Sequence, residues 1–592
     1  MLRFKNDINI FRNLQFLPTL HSKIFAMKHI LIIFGLFALI NTSKATEIAD
    51  AMNSFQADKG AIERLLGNNQ TDEYYTRIDK LYDEWLTYLD KLDYKKLSKD
   101  GKIDFHIFRN YLQKNKYFHL QAYQEFKEVQ HVAHFAKDLY GFVEKRRRAV
   151  QPNPKELSKL FSDAEESVAN LIKNMDKSAK FGTWQSAELA AEVVGNLRKS
   201  TEEAYKFYFD YDPELTWWTK TPYDKLIKSL KTYEDALKTN FDKSKVVDDG
   251  SGIIGKPIGR KALEKEFEFE YIPYSPEELI AEAKIQYAWC EAEMIKASQK
   301  LGFGKEWKKA LEFVKDKYLP AGEWPQEVGR LAEEAIDYLE KKDLLTIPAT
   351  AKETWRMVMI SAQAQKLNPF FLGGESIWIS YPTSEMTHNE KMMSLRGNNP
   401  HFSRATVHHE LIPGHHLQQY MNRRHYPHRN AYGTAFWVEG WPLYWEFSLY
   451  EMGFPRSEED KIGMLFWRMH RAARIIFSLE YHLGNMTPQE CIDFLVDKVG
   501  HERFNAEAEV RRSFTSRYGP LYQLAYMTGG LQVMALKREC VDSGRMTLKE
   551  FNDTFIRQNN MPIEILRSKM LDKELPKDYK TQWKFLSGNK RP

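Results

Sequence analysis

Residues 408–419 read His408-His409-Glu410-Leu411-Ile412-Pro413-Gly414-His415-His416-Leu417-Gln418-Gln419. Four imidazoles within nine residues, divided by a carboxylate and a Pro-Gly step, restrict this stretch more than any other part of the chain. Paired histidines can be solvated surface, but imidazoles and a carboxylate beside an apolar run more often share a site. Zinc takes neutral imidazole and carboxylate ligands, and a catalytic ion keeps one position for water. A glutamate next to the first ligand, and not itself bound to the ion, can take that water's proton.

A regular helix cannot deliver this site. The common spacing His-Glu-x-x-His puts two histidines on one face, but here position 413 is proline. On an unbroken helix His415 would lie about 240° round from His409, and His416 would share its face but sit about 10.5 Å along the axis. Either histidine reaches a shared ion only if Pro413-Gly414 interrupts or bulges the helix. Proline removes a backbone donor, and glycine tolerates the dihedrals that follow.

The rest of the chain reads as mainly helical. Apolar and aromatic residues recur at three- and four-residue intervals among Lys, Asp and Glu from Tyr74 to Lys96, Phe105 to Lys114 and Ala122 to Val150. Pro154 and Glu156 open another helix over Leu157 to Lys180, and Trp184 to Phe209 follows. Pro276 starts a helix that passes Ala297, and Pro325 to Leu339 resumes the pattern. Glycines and a proline between Val247 and Gly259 mark a loop or a lobe boundary. Ser376 to Tyr381, branched and aromatic and stopped by Pro382, reads as a strand beside the site.

The first 45 residues read as foreign to this fold. Met27-Lys28-His29, the apolar run Ile30–Ile40 and Ser43-Lys44-Ala45 have the layout of a secretory signal peptide, residues 27–45. The run is too short for a membrane span, which needs about 20 apolar residues. Residues 1–26 form an upstream extension or follow a misplaced start, and residues 46–592 are the helical body. With no cysteine at either end of the run, lipid attachment at the cleavage site is not expected. The expected location is periplasmic or secreted.

The chain carries a net charge of +5, and residues 1–45 alone carry +5, so the body is near neutral. That argues against a nucleic-acid partner. The three cysteines, Cys290, Cys491 and Cys540, lie too far apart for a thiolate metal site or a disulfide framework.

A second motif follows the histidines: Glu439-Gly440-Trp441-Pro442-Leu443-Tyr444-Trp445-Glu446. Together with His409-Glu410-Leu411-Ile412-Pro413-Gly414-His415-His416 it resembles the bacterial domain-of-unknown-function 885 family. That family in turn resembles the helical zinc peptidases that include thimet oligopeptidase and angiotensin-converting enzyme. The resemblance implies a mainly α, zincin-like fold with a deep cleft and a gluzincin centre of two histidines and one glutamate. With Pro413-Gly414 treated as an insertion, His409 and His415 become ligands of one zinc ion and Glu410 the base, with His416 as the fallback ligand. Glu439 becomes the third ligand, and Glu446, two turns later, orients a ligand or binds a substrate amine. Trp441, Tyr444 and Trp445 read as core packing.

Later segments resemble the family's remaining motifs with departures, Asn485 after His482-Leu483-Gly484 and a displaced glycine in Tyr518–Gly529. They offer Tyr526 and His482 as donors to the oxyanion of a tetrahedral intermediate. Arg474 would bind a substrate carboxylate or pair with a buried acid. The function implied is zinc-dependent hydrolysis of oligopeptides. The competing readings are an exported metal-dependent amidase or esterase on a non-peptide substrate, and a metal-scaffold binding protein without turnover.

Overall fold

A computed structural model describes residues 46–586 apart from 68–69, 178–179, 247 and 516–517. The signal-peptide segment and the upstream extension therefore lie outside the described residues. The chain from Thr46 to Pro592 forms one compact unit. It is mainly helical, and its only sheet among the described residues has three short strands.

The helix starts follow the local chemistry. Asn153 accepts from the backbone N–H groups of Lys155 and Glu156 ahead of the helix Pro154–Lys173. Ser275 with Glu278, and Thr487 with Glu490, form capping boxes that satisfy backbone donors the first turn leaves unpaired. Two boundaries differ from the sequence reading. Lys99–Val129 is one continuous helix of 31 residues, because nothing between Lys114 and Ala122 breaks it. The break falls instead at 130–135, where a turn of 3-10 helix, Gln130–Ala133, presents the Val132 carbonyl to the Tyr233 hydroxyl at 3.3 Å.

The strands are β1 (Arg356–Met359), β2 (Phe371–Leu372) and β3 (Ser376–Ile379), in the order β1-β3-β2. β1 runs parallel to β3, and β2 pairs antiparallel with it through Phe371↔Ile379 and Leu372↔Trp378. The expected strand is thus present but stops at Ile379; Ser380 donates its N–H to the Phe370 carbonyl. β1 and β2 are too short to show a periodic pattern in the sequence.

Residues 248–259 are irregular and lie against the C-terminal end of the helix Glu458–His482, with the Gly259 N–H donating to the His482 carbonyl at 2.9 Å. A Cβ at Gly255 would meet the Tyr481 hydroxyl at 2.2 Å, so this loop needs a residue without a side chain there.

The core of the C-terminal half is unusually aromatic. Trp437, Trp441, Tyr444 and Trp445 are fully buried on the helix Ala435–Glu451, as their apolar spacing implies. Helix Ala435–Glu451 crosses helix Tyr522–Lys537 with backbone against backbone. A Cβ at Gly440 would lie 2.6 Å from the Gly529 carbonyl carbon, and one at Gly529 would lie 2.2 Å from the Phe436 carbonyl oxygen.

Candidate metal centre

The helix Pro400–Glu410 stops at the carboxylate, and the helix His415–Asn422 begins at the third histidine. Leu411–Gly414 form the interruption that helical geometry demanded, including a cis peptide bond at Ile412–Pro413. The broken ends are tied back. The Gly414 N–H donates to the His408 carbonyl at 3.1 Å, and the Leu417 N–H to the Leu411 carbonyl at 3.3 Å. The Trp441 indole donates to the Pro413 carbonyl at 2.8 Å, which gives one of the buried tryptophans a structural task. Gly414 packs so tightly that a Cβ would sit 1.7 Å from the His409 carbonyl oxygen.

This interruption swings His415 back onto His409. Their ring centroids are 5.0 Å apart, and ligand atoms of His409, Glu410 and His415 all fall within 4.8 Å of one another. Among the described residues it is the one grouping of His, Cys, Asp and Glu close enough to share an ion. Glu439 joins it from the neighbouring helix. Its Oε2 lies 3.6 Å from His409 Nε2 and 3.3 Å from His415 Nε2. That oxygen is buried and makes no hydrogen bond, whereas Oε1 accepts from the Tyr522 hydroxyl at 2.6 Å.

The other nitrogen of each ring is already engaged. His409 Nδ1 meets Glu446 Oε1 at 2.6 Å. His415 Nδ1 faces Gln418 Oε1 at 3.4 Å, and Gln418 donates through Nε2 to the carbonyls of Trp437 and Val438. Pro442 lies inside this helix and has no N–H for the Val438 carbonyl. The carbonyl is therefore free to hold Gln418. With Nδ1 serving as the donor on both rings, Nε2 is the nitrogen of each that faces the cluster and is left for a metal.

His416 turns away. Its Nδ1 faces the Gly374 carbonyl at 3.2 Å and its Nε2 the Ala351 carbonyl at 2.9 Å. His408 is buried against the Phe454 ring, with neither nitrogen hydrogen-bonded, and burial pushes its pKa down to about 3. Neither belongs to the cluster.

The electrostatics couple the imidazoles to the carboxylates around them. Burial alone would lower the His409 pKa, but the flanking carboxylates of Glu439 and Glu446 outweigh it and bring it up to about 9. Burial would raise the Glu439 carboxyl, yet His415 and His409 hold it well below the usual carboxylate range. Glu446 is likewise held down, chiefly by Arg471. The donor set fits a metal ion: two imidazole nitrogens and one orphaned carboxylate oxygen converge, and each imidazole is oriented from behind.

Around the cluster lies a cavity of about 340 Å³. The turn between β2 and β3 forms part of its wall. A Cβ at Gly373 would meet Glu410 Oε2 at 2.2 Å and the His415 ring at 2.9 Å, so the backbone must run directly over both side chains. Tyr526 lines the cavity, with its ring 6.0 Å from the His409 ring and its hydroxyl 3.3 Å from that of Tyr522. Burial first, and then Glu439, pushes the Tyr526 phenol up to about 12, so it stays protonated and able to donate.

His482 is not brought to this site. It closes its helix eight residues beyond Arg474, which lines the cavity, a rise of about 12 Å. There its ring packs near Phe514, and burial lowers its pKa to about 4. Arg474 pairs with the buried Glu509 at 2.7 Å and still lines the cavity. Sequence reasoning missed Tyr522, Arg471 and Arg512. The i, i+4 spacing of Tyr522 and Tyr526, one face of one helix, was the available signal for the first.

The family model described as "Bacterial protein of unknown function (DUF885)" matches residues 57–570. The chain belongs to this family. Two solved structures share the fold. One, provisionally described as a lipoprotein of unknown function from Shewanella oneidensis, is 17% identical with a TM-score of 0.64, covering 88% of this chain and 98% of that one. The other, provisionally described as a lipoprotein from Colwellia psychrerythraea, is 14% identical with a TM-score of 0.55, covering 88% and 97%. No curated protein matches the chain. The family description and both titles leave activity open, so function rests on the chemistry of the site.

Proposed function

We propose that this DUF885 protein is a zinc-dependent hydrolase of the metallopeptidase type, with a gluzincin centre in a zincin-like fold. The observation that carries this reading is the convergence of His409 Nε2, His415 Nε2 and the unpaired Glu439 Oε2 beside Glu410. The two imidazoles and Glu439 would hold the ion. Zinc bound there supplies a Lewis acid that polarises a carbonyl and acidifies water. Glu410 stands beside the cluster as the proton acceptor and returns the proton to the leaving amine. Tyr526 keeps its proton and donates toward the oxygen on which negative charge develops. Glu446 and Gln418 fix the two rings from behind.

Peptides are favoured as substrates because β2 lies at the edge of the sheet and its end, Leu372-Gly373, borders the cavity. An edge strand offers unpaired backbone groups to an extended chain. Export is part of the reading and is supported by the leader-like segment 27–45 and by the descriptions of the two structural neighbours. No helix among the described residues is long and apolar enough to cross a membrane.

The test is metal analysis and peptide-library digestion of the wild-type protein and Glu410→Gln. Both should retain one zinc ion per chain, while the variant loses at least 100-fold in hydrolysis, the low end of a general base's contribution. Comparable activity in Glu410→Gln, or a wild-type protein that binds no metal, would overturn the assignment.

A further inference from the structure

The cavity that holds the proposed hydrolytic centre is also lined by Arg471, Arg474 and Arg512. The first two lie one turn apart on the helix Glu458–His482 and grip the Tyr526 ring, their guanidinium carbons 4.5 and 4.4 Å from its centroid. Arg512 comes from the helix Arg503–Thr515 and sits 5.0 Å from the Tyr518 ring. All three are buried.

Arg471 and Arg474 keep donors that the protein leaves unused. Arg471 shares Glu446 with His409, at 3.3 Å. Glu509 is bonded to Arg474 at 2.7 Å and also faces Arg512. His470 and His501, hydrogen-bonded to each other at 2.9 Å, are held neutral by burial and add no charge. Glu439 and Glu410 are matched by the ion they would surround. Arg471 Nε and Arg474 Nη1 are buried with no hydrogen-bond partner. A buried donor without an acceptor is costly, and the planar guanidinium fork matches a carboxylate.

We propose that this arginine wall binds the C-terminal carboxylate of the substrate, so that the enzyme cuts from the carboxyl end. A cavity of about 340 Å³ lies at the small end of ligand sites, which run from roughly 300 to 1,000 Å³, and suits the last residue or two of a peptide. Water's oxygen joins the acyl carbon, the C–N bond breaks, and the proton held by Glu410 leaves on the amine. The products are a shortened peptide and a free amino acid or dipeptide.

The inference rests on the proposed hydrolysis for its direction of attack, but carboxylate binding can be measured separately. The zinc-loaded protein is titrated calorimetrically with N-acetyl-alanyl-phenylalanine and with its C-terminal amide, and the same pair is assayed as substrate. The free acid should bind at least 50-fold more tightly and be cleaved with a kcat/KM at least 50-fold higher. Arg474→Lys, which keeps the charge opposite Glu509, should reduce that acid-to-amide ratio at least tenfold. A ratio that survives in Arg474→Lys would place the carboxylate on the ion and overturn the inference. Equal binding, or amides cleaved within threefold of acids, would overturn it while leaving the hydrolase intact. Acid-selective binding without any cleavage would uphold the arginine subsite and remove the hydrolase reading. If Arg474→Lys fails to fold, binding and cleavage by the wild-type protein still decide between acid and amide.

Discussion

Replacing Glu446 by Gln removes one charge from behind the metal centre with almost no change of shape. Glu446 Oε1 accepts from both His409 Nδ1, at 2.6 Å, and Arg471, at 3.3 Å. A glutamine carbonyl in that place keeps both contacts, while its NH₂ falls where Oε2 is now, buried and without a partner. Two consequences separate. The bond to His409 changes from charge-assisted to neutral, which roughly halves its strength and makes Nε2 a weaker base. Loss of such an orienting partner weakens metal affinity by roughly 10–100-fold, or about 1.4–2.7 kcal/mol. The stranded amide donors cost a further ~1–3 kcal/mol of global stability. Competition against a chromophoric zinc chelator at neutral pH reads the first effect, and urea unfolding of the metal-free protein reads the second. A folded Glu446→Gln protein whose zinc Kd lies within threefold of wild type would refute the claim that Glu446 tunes a metal ligand.

Three further outcomes follow from the same geometry. His415→Ala should lose most bound metal while His416→Ala keeps it, because only His415 faces the cluster; equal metal content in the two would reject the assignment. Gly414→Ala should fail to reach the native active-site geometry, since its Cβ would lie 1.7 Å from a backbone oxygen that cannot move away; a Tm within about 2 °C of wild type would contradict the close approach. Asp104 is fully buried and paired with Arg429 at 2.6 Å and His428 at 2.8 Å, and it also accepts from Thr46. Burial would raise its carboxyl, but His428 and Arg429 hold it below the ordinary value. The stability it supplies is therefore present above the unfolded carboxyl pKa, near 4, and is lost as pH falls through the lower folded value. Asp104→Asn should cost about 3–5 kcal/mol in denaturant titrations at pH 7, because Arg429 is left without its counter-charge, and the gap should close below about pH 4. A gap independent of pH would refute the pairing.

Much of the site was legible because its unusual residues were forced by geometry. Pro413 could not continue a helix, so the need for a break followed from the residues, whereas the choice of His415 over His416 came only with the family resemblance. The helical body was legible through its apolar period and its capping residues. What stayed hidden came from contacts between distant segments. Glu446 was legible as a residue that orients a ligand or binds a substrate amine, but the place of Gln418 behind His415 Nδ1 depends on how two helices cross. The arginine wall draws on two helices whose side chains are spaced in sequence like any amphipathic pair. His482 was misplaced for a related reason: a likeness between short motifs fixes neighbours in sequence and carries no information on the distance along a helix axis to the cavity.

The crossing of Gly440 over Gly529 has a consequence for how such a centre can change over time. Glu439 precedes one glycine, and Tyr526 lies one turn before the other, so the carboxylate proposed to hold the ion and the phenol stand beside a crossing where main chain meets main chain. At the crossing point itself no side-chain volume separates the two helices, so a substitution there cannot be absorbed by a side chain moving aside. A methyl group on either side pushes both helices apart at once. Lining residues outside the proposed centre, such as Leu372 and Trp378, can change and give new specificities, whereas the spacing between carboxylate and phenol is inherited whole or lost whole.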